Sequence, residues 1–294
     1  TIVHKLIFEE DWFMKWRLIF LFCFVVSLFG LDKKEIVLTE PSFTNFQAKN
    51  IPLSMELNFW NMDSYQGKTY LKYDNSADVI EFFADLSNIK QKNPSGWVLG
   101  YPEVFYGFKP WVSNGVSVDK WRLPVQIKDL PNVVFKFGYE IWYKDNLPIN
   151  LAMETWITKE KYPSSVKEGE VEIMVWLYYN VLGPAGFKVG EVEIPIKIDG
   201  KERKMIWEVW YAKMSWDYVA FRPVIPFDKA IVEVSIKPFV LKTREILSNY
   251  SERVKVADFD KMYFEVWEVG TEFGSPTTTN ANFGFKFYGF DVKR

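Results

Sequence analysis

Beyond residue 46, hydrophobic and polar positions alternate with a period of two through segment after segment. This is the pattern of β-strands that bury one face. The stretch Glu170 to Tyr179 shows it best. Val171, Ile173, Val175 and Leu177 share one face and read as core. Glu172, Met174, Trp176 and Tyr178 share the other. A solvent face would carry Lys, Thr and Ser, and a core face would exclude Glu172. A strand lining a cleft satisfies both observations, so Glu172 is the first candidate for chemistry.

The same alternation predicts strands near 55–60, 68–73, 77–85, 97–106, 133–143, 150–158, 189–198, 204–214, 217–222, 230–236, 261–270 and 281–291. Turn residues separate them. Asp199-Gly200 lies between two alternating runs and predicts a tight hairpin. Pro184-Ala185-Gly186 and Asn114-Gly115 mark further turns. The one helical stripe is at 238–249, where Val240, Arg244 and Leu247 align. Many strands with almost no helix predict an all-β sandwich of the jelly-roll type: two curved antiparallel sheets, one short helix and a cleft on the concave face. No composition break divides residues 46–294, which are expected to form one domain. Residues 32–45 read as a linker. Residues 1–31 read as an N-terminal extension with a signal-peptide-like segment. In it, Met14-Lys15-Trp16-Arg17 is basic and the run from Leu18 to Leu31 is apolar but short for a spanning helix. Secretion is the expected localisation, with an uncleaved membrane anchor as the alternative.

Composition narrows the chemistry by exclusion. The chain has one His, His4, and one Cys, both within the first 30 residues. The predicted domain therefore cannot build a Ser-His-Asp or Cys-His site, an ordinary zinc site or a disulfide. Carboxylate, Lys and Tyr remain as acid–base groups. Net charge is −2, with no basic run to attract nucleic acid. Aromatic residues make up 18% of the chain, with 13 Trp and 15 Tyr. That content suits strands and equally suits a site that stacks sugar rings.

Three further stretches carry candidate groups. In Val266-Trp267-Glu268-Val269-Gly270-Thr271-Glu272-Phe273, a glycine inside a strand marks a bulge or a close backbone approach. Glu272 follows it beside an aromatic ring, which would help to raise a carboxyl pKa. Glu268 has the same parity and competes with it. In Asn150 to Thr158, Ala152, Glu154 and Trp156 share a face. Glu154 is either a surface partner of a lysine or a group that orients a catalytic carboxyl. The Gly96–Trp111 stretch offers Trp97 and Tyr101 as cleft residues, with Phe105 and Phe108 assigned to the core.

Taken together, these motifs resemble glycoside hydrolase family 12, the small jelly-roll endoglucanases, over roughly residues 50–292. Glu172-Ile-Met-Val-Trp176 resembles the family's nucleophile strand, and Gly270-Thr-Glu272-Phe-Gly274 its acid/base segment. Asn58-Phe-Trp60 matches its sugar-binding strand. Gly100-Tyr-Pro-Glu103 and Tyr106-Gly-x-Lys-Pro-Trp111 are also typical. The likeness is greatest to endo-β-1,4-glucanases of thermophilic bacteria and archaea. The resemblance implies a retaining cellulase with Glu172 as nucleophile, Glu272 as acid/base, and Glu154 where many members have an Asp bonded to the nucleophile. It implies substrate contacts from Asn58, Trp60, Met174 and Trp176, beside the cleft candidates Tyr101 and Trp97, the latter where family loops vary; a β-glucan partner, no metal and no cofactor are expected. A monomer is expected. Two other readings stay open: a xyloglucanase or mixed-linkage glucanase of the same fold, and a non-catalytic carbohydrate-binding sandwich.

Overall fold

A computed structural model describes residues 35–112 and 114–293. The predicted targeting segment lies outside them. Among the described residues, seventeen strands run in the order β1 (Glu35–Leu38), β2 (Phe43–Gln47), β3 (Pro52–Glu56), β4 (Met62–Asp74), β5 (Val79–Gln91), β6 (Glu103–Gly107), β7 (Val125–Gln126), β8 (Val134–Tyr143) and β9 (Asn150–Thr158). They continue with β10 (Val171–Tyr179), β11 (Phe187–Ile198), β12 (Lys201–Lys213), β13 (Asp217–Pro223), β14 (Lys229–Ser235), β15 (Tyr263–Phe264), β16 (Val266–Gly270) and β17 (Ala281–Lys293). Helix α1 (Lys237–Tyr250) and the short α2 (Val256–Phe259) lie between β14 and β15.

Strand pairing traces two layers. One runs β2-β3-β6-β16-β9-β10-β13-β12-β11. The other runs β14-β8-β17-β5-β4-β1. The far end of β11 pairs with β14 and joins them. All the pairs are antiparallel except β10 with β13. Between the layers lies the core, filled by Val171, Ile173 and Val175 from β10, Met153 from β9, Val104 from β6 and the phenylalanines of β17. The predicted inward face of β10 is thus the core face. Its other face opens on the cleft side of the first layer. Trp267 is central to the core. It stacks on Phe135 at 4.0 Å and meets Phe137 edge-on at 5.6 Å.

Local chemistry accounts for several elements. Asp199 and Gly200 both have positive φ, 50° and 77°, which is the geometry a two-residue primed turn requires. They register Ile198 against Lys201. The helix forms where its stripe placed it, with Phe239, Val240, Ile246 and Leu247 buried against the core. Pro238 sits in its first turn, where the missing N–H costs nothing.

The linker expected over 32–45 is corrected within the described residues. Glu35–Leu38 pairs with β4, and Phe43–Gln47 pairs with β3. Each is a short strand at one end of a layer, with exposed side chains alternating with half-buried or buried ones. Alternation over four or five residues is too brief to signal a strand, and pairing supplies what the pattern lacks. The strand expected over 97–106 begins only at Glu103.

Trp267→Ala should cost about 3–5 kcal/mol, because it empties the aromatic stack that joins the layers. Urea unfolding monitored by circular dichroism reads this as a lower midpoint at unchanged slope. A loss under 1 kcal/mol would mean that the stack does not hold the layers together.

Candidate active site

A cleft of about 430 Å³ opens on the first layer. Its walls include Glu56, Asn58, Trp60, Tyr101, Lys109, Trp111, Glu154, Trp156, Glu172, Trp216 and Glu272. Strand parity delivers the floor. In β9 and β10, Trp156 faces Glu172 and Glu154 faces Met174 across the ladder. On β9's other side, Glu154 is opposite Glu268 of β16. Farther along the layer, Glu56 is opposite Glu103. Period two therefore puts a row of carboxyl groups on one desolvated face.

Glu172 is 7% exposed, and its Oε2 accepts the indole N–H of Trp216 at 2.6 Å. Burial raises its pKa to about 8, with Glu272 adding to the rise and the Trp216 bond opposing it. Glu272 follows β16 and is clamped by Asn150 at the start of β9. Asn150 Nδ2 donates to Glu272 Oε2 at 2.5 Å, and Asn150 Oδ1 accepts the backbone N–H of Glu272 at 2.9 Å. The backbone N–H of Asn150 donates to the carbonyl of Glu272 at 3.0 Å. Burial raises the Glu272 pKa to about 7, against the pull of Asn150. Two desolvated carboxyls that repel each other cannot both ionise readily, so near neutrality the pair keeps a proton.

Lys109 is the buried cation among the remaining carboxyls. It contacts Glu103, lies 3.0 Å from Glu56 and 3.6 Å from Glu268. Asn58 Nδ2 donates to Glu103 Oε1 at 3.2 Å, so the candidate sugar-binding Asn58 is tied to the same group. Glu268 is fully buried, and neither of its carboxyl oxygens has a hydrogen-bond donor. Burial raises its pKa to about 7, with Lys109 acting in the opposite direction. Glu154 is also raised, by burial and then by Glu172. Among the described residues, no group of three or more His, Cys, Asp or Glu is arranged to hold a metal ion.

The sequence-predicted residues divide clearly. Glu172, Glu272, Glu154, Asn58, Trp60 and Tyr101 all line the cleft. Glu268 does not, which separates it from Glu272. Gly270 fits the predicted close approach, since a Cβ there would sit 2.7 Å from the carbonyl oxygen of Pro102. Three expectations are corrected. Met174 and Trp176 have the right parity but are each 1% exposed, buried in an apolar cluster with Tyr218, Leu182 and Ala220. Leu182 and Ala185 from the β10–β11 connection pack over that end of the face. Trp97 is 59% exposed and outside the cleft walls, because Val98 and Leu99 turn inward beside it. Glu154, whose contact the resemblance left open, makes no hydrogen bond to Glu172 among the described residues, and Glu172 accepts from Trp216. Sequence reasoning missed Asn150, Lys109, Trp111 and Trp216. Lys109 and Trp111 stood in the quoted Lys-Pro-Trp motif, while Asn150 and Trp216 sit at strand ends without a distinguishing pattern.

Comparison with known proteins identifies the family and the fold. The model of the family described as "Glycosyl hydrolase family 12" matches residues 51–293. The fold is similar to that of the endoglucanase cel12A from Rhodothermus marinus, with a TM-score of 0.64 and 20% identity over 88% of this chain and 98% of that one. It is also similar to a family 12 xyloglucanase from Bacillus licheniformis, with a TM-score of 0.62 and 21% identity over 88% and 99%. A third is Trichoderma harzianum endoglucanase 3, with a TM-score of 0.59 and 15% identity over 90% and 100%. No curated protein sequence matches the chain.

The buried carboxyls give stability a definite pH dependence. Glu172, Glu268, Glu272 and Glu265 all have folded-state pKa values raised above 4.5. The folded state then binds more protons than the unfolded one between about pH 4.5 and 8, so stability falls as pH rises through that window. The melting temperature should drop from pH 5 to pH 8, and Glu268→Gln should flatten the drop. A melting temperature that climbs over the same range would contradict these ionisation states.

Proposed function

The chain belongs to glycosyl hydrolase family 12, and from that premise we propose that it cleaves internal β-1,4-glucosidic bonds of a cellulose-type glucan with retention of configuration. The supporting observation is the pair of desolvated carboxyls, Glu172 on β10 and Glu272 just after β16, that line one cleft. In this reading Glu272 carries the pair's proton and Glu172 is the carboxylate when the bond is cut. The indole N–H draws Glu172 toward that state, but burial and Glu272 hold its pKa at about 8, above the value of about 7 at Glu272. In the empty cleft the shared proton therefore favours Glu172, and bound sugar must shift it to Glu272.

Glu272 gives its proton to the glycosidic oxygen as the bond from that oxygen to the anomeric carbon breaks. The leaving chain departs with a free 4-hydroxyl. Glu172 attacks the anomeric carbon and forms a glycosyl ester. Glu272, now a carboxylate, takes a proton from water, and the resulting hydroxide displaces Glu172. The sugar chain is held by Trp60 and Trp111, both about half exposed on the cleft walls, and by Asn58. Apolar sugar faces stack on such rings while the amide bonds hydroxyls. Tyr101 donates to the carbonyl of Ala152 at 2.8 Å and holds the floor beside Glu154. Action on an insoluble polymer requires an enzyme outside the cell, in keeping with the targeting segment expected over 14–31.

A general acid matters most when the leaving group is poor. Glu272→Ala should therefore lose glucan hydrolysis by about 10²–10⁴-fold while still forming the glycosyl-enzyme from dinitrophenyl cellobioside. Azide, which needs no base, should restore turnover and give a β-glycosyl azide. The same tests on Glu268→Ala should leave an active enzyme with no azide effect; the reverse pattern would transfer the acid/base role to Glu268. A product profile on cellulose, mixed-linkage glucan and xyloglucan decides the substrate. The proposal expects unbranched β-1,4 chains to be cut faster than xyloglucan, and the opposite order would make the enzyme a xyloglucanase.

A further inference from the structure

The hairpin between β12 and β13 turns through Met214, Ser215 and Trp216. At its tip is the indole that bonds Glu172 at 2.6 Å and meets Trp156 edge-on at 5.3 Å. Hairpin tips have few neighbours and open easily. A bond to one carboxylate oxygen needs its donor fixed in direction and distance. Something must therefore hold this tip, and the structure shows what does.

Arg253 follows helix α1 and is nearly buried. Its Nη1 donates to the carbonyl of Met214 at 3.1 Å and its Nη2 to the carbonyl of Trp216 at 2.8 Å. The two acceptors flank Ser215, so the guanidinium bridges the tip. Nη2 also lies 3.2 Å from Oδ2 of Asp217, a fully buried carboxylate whose Oδ1 accepts the hydroxyl of Tyr211 at 2.7 Å. An arginine present only to neutralise Asp217 would offer it two parallel N–H groups. Here a single nitrogen reaches Asp217, and the fork is directed at the hairpin carbonyls. Lysine, a point charge without a planar fork, could not reproduce that geometry.

We infer that Arg253 is a positioning residue for the nucleophile: it fixes the β12–β13 tip so that Trp216 holds one oxygen of Glu172 and leaves the other free to attack. The inference rests on the reading of Glu172 as nucleophile. It gives Trp216, a neutral donor from another strand pair, the contact to Glu172 that many family members make with an Asp. The N–H bond orients the carboxylate plane and stabilises its charge in a cleft where burial and Glu272 favour the neutral form. The other titratable groups facing this site are Glu154 from β9, Tyr218 from β13 and Glu272 after β16. Near Arg253, Glu168 lies at 4.0 Å.

The test is the pH dependence of kcat/KM on an aryl β-cellobioside for Trp216→Phe, Arg253→Lys and the double variant. Trp216→Phe keeps the ring and removes the donor. Its acid limb should move up by about one to two pH units, the effect of losing a hydrogen bond to a charged group. Arg253→Lys keeps a charge for Asp217 and loses the bridge. Its limb should move the same way, and the double variant should move no farther than Trp216→Phe alone. An Arg253→Lys limb that stays in place, or two shifts that add, would overturn the inference. Carbon-13 NMR titration of the Glu172 carboxyl, assigned by its loss in Glu172→Gln, reads the same shifts without turnover. A wild type inactive on every β-glucan would then sink the proposed function, while the titration would still decide the role of Arg253.

Discussion

The structure depends on keeping acidic side chains out of water. Glu56, Glu103, Glu154, Glu172, Glu268 and Glu272 all lie on or beside one face of the first layer, and Lys109 is the buried cation beside three of them. A carboxyl removed from water resists ionisation unless a positive group or N–H donors compensate. Each compensating donor here has a definite position. Lys109 answers Glu56, Glu103 and Glu268 at one end. Asn150 and Trp216 answer Glu272 and Glu172 at the other. The proposed reacting pair is thus supported by neutral donors, which leave one proton to be shared, while the cationic partner is confined to the Lys109 end.

The fold supplies this asymmetry through register. Period two puts the carboxyls on one face of β3, β6, β9, β10 and β16, and puts Trp267, Val104, Met153 and Ile173 on the other. A slip of one residue in β10 would send Glu172 into the core. The aromatic core between the layers therefore serves the site as well as stability, because it fixes the side each carboxyl takes.

Much of this was legible in the sequence, and the boundary of legibility is physical. The face of Glu172, the Asp199-Gly200 turn and the helix over 238–249 follow from local periodicity and backbone preference, and the structure shows all three. Parity also gave the correct side for Met174 and Trp176, but it says nothing of a distant connection that packs over them. Both are buried in a cluster that includes Leu182 and Ala185 from that connection, and no local pattern announces it. The edge strands β1 and β2 escaped because each is only four or five residues long, so Ile36, Leu38 and Phe46 reach the core on a run too short to show a period. Asn150, Trp216 and Arg253 escaped for a related reason. They sit at a strand end, a hairpin tip and a helix exit, where a few directed hydrogen bonds leave no periodic trace.

The central claim is that Glu172 forms the covalent bond to sugar. A 2-fluoro cellobioside with a good leaving group slows breakdown of the ester more than its formation, so the intermediate accumulates. Intact-mass measurement followed by peptide mapping should find one equivalent of fluorosugar, bound to Glu172, with activity lost in proportion. Label on Glu154, Glu268 or Glu272 in the folded enzyme, or hydrolysis with inversion and no trapped sugar, would contradict the account.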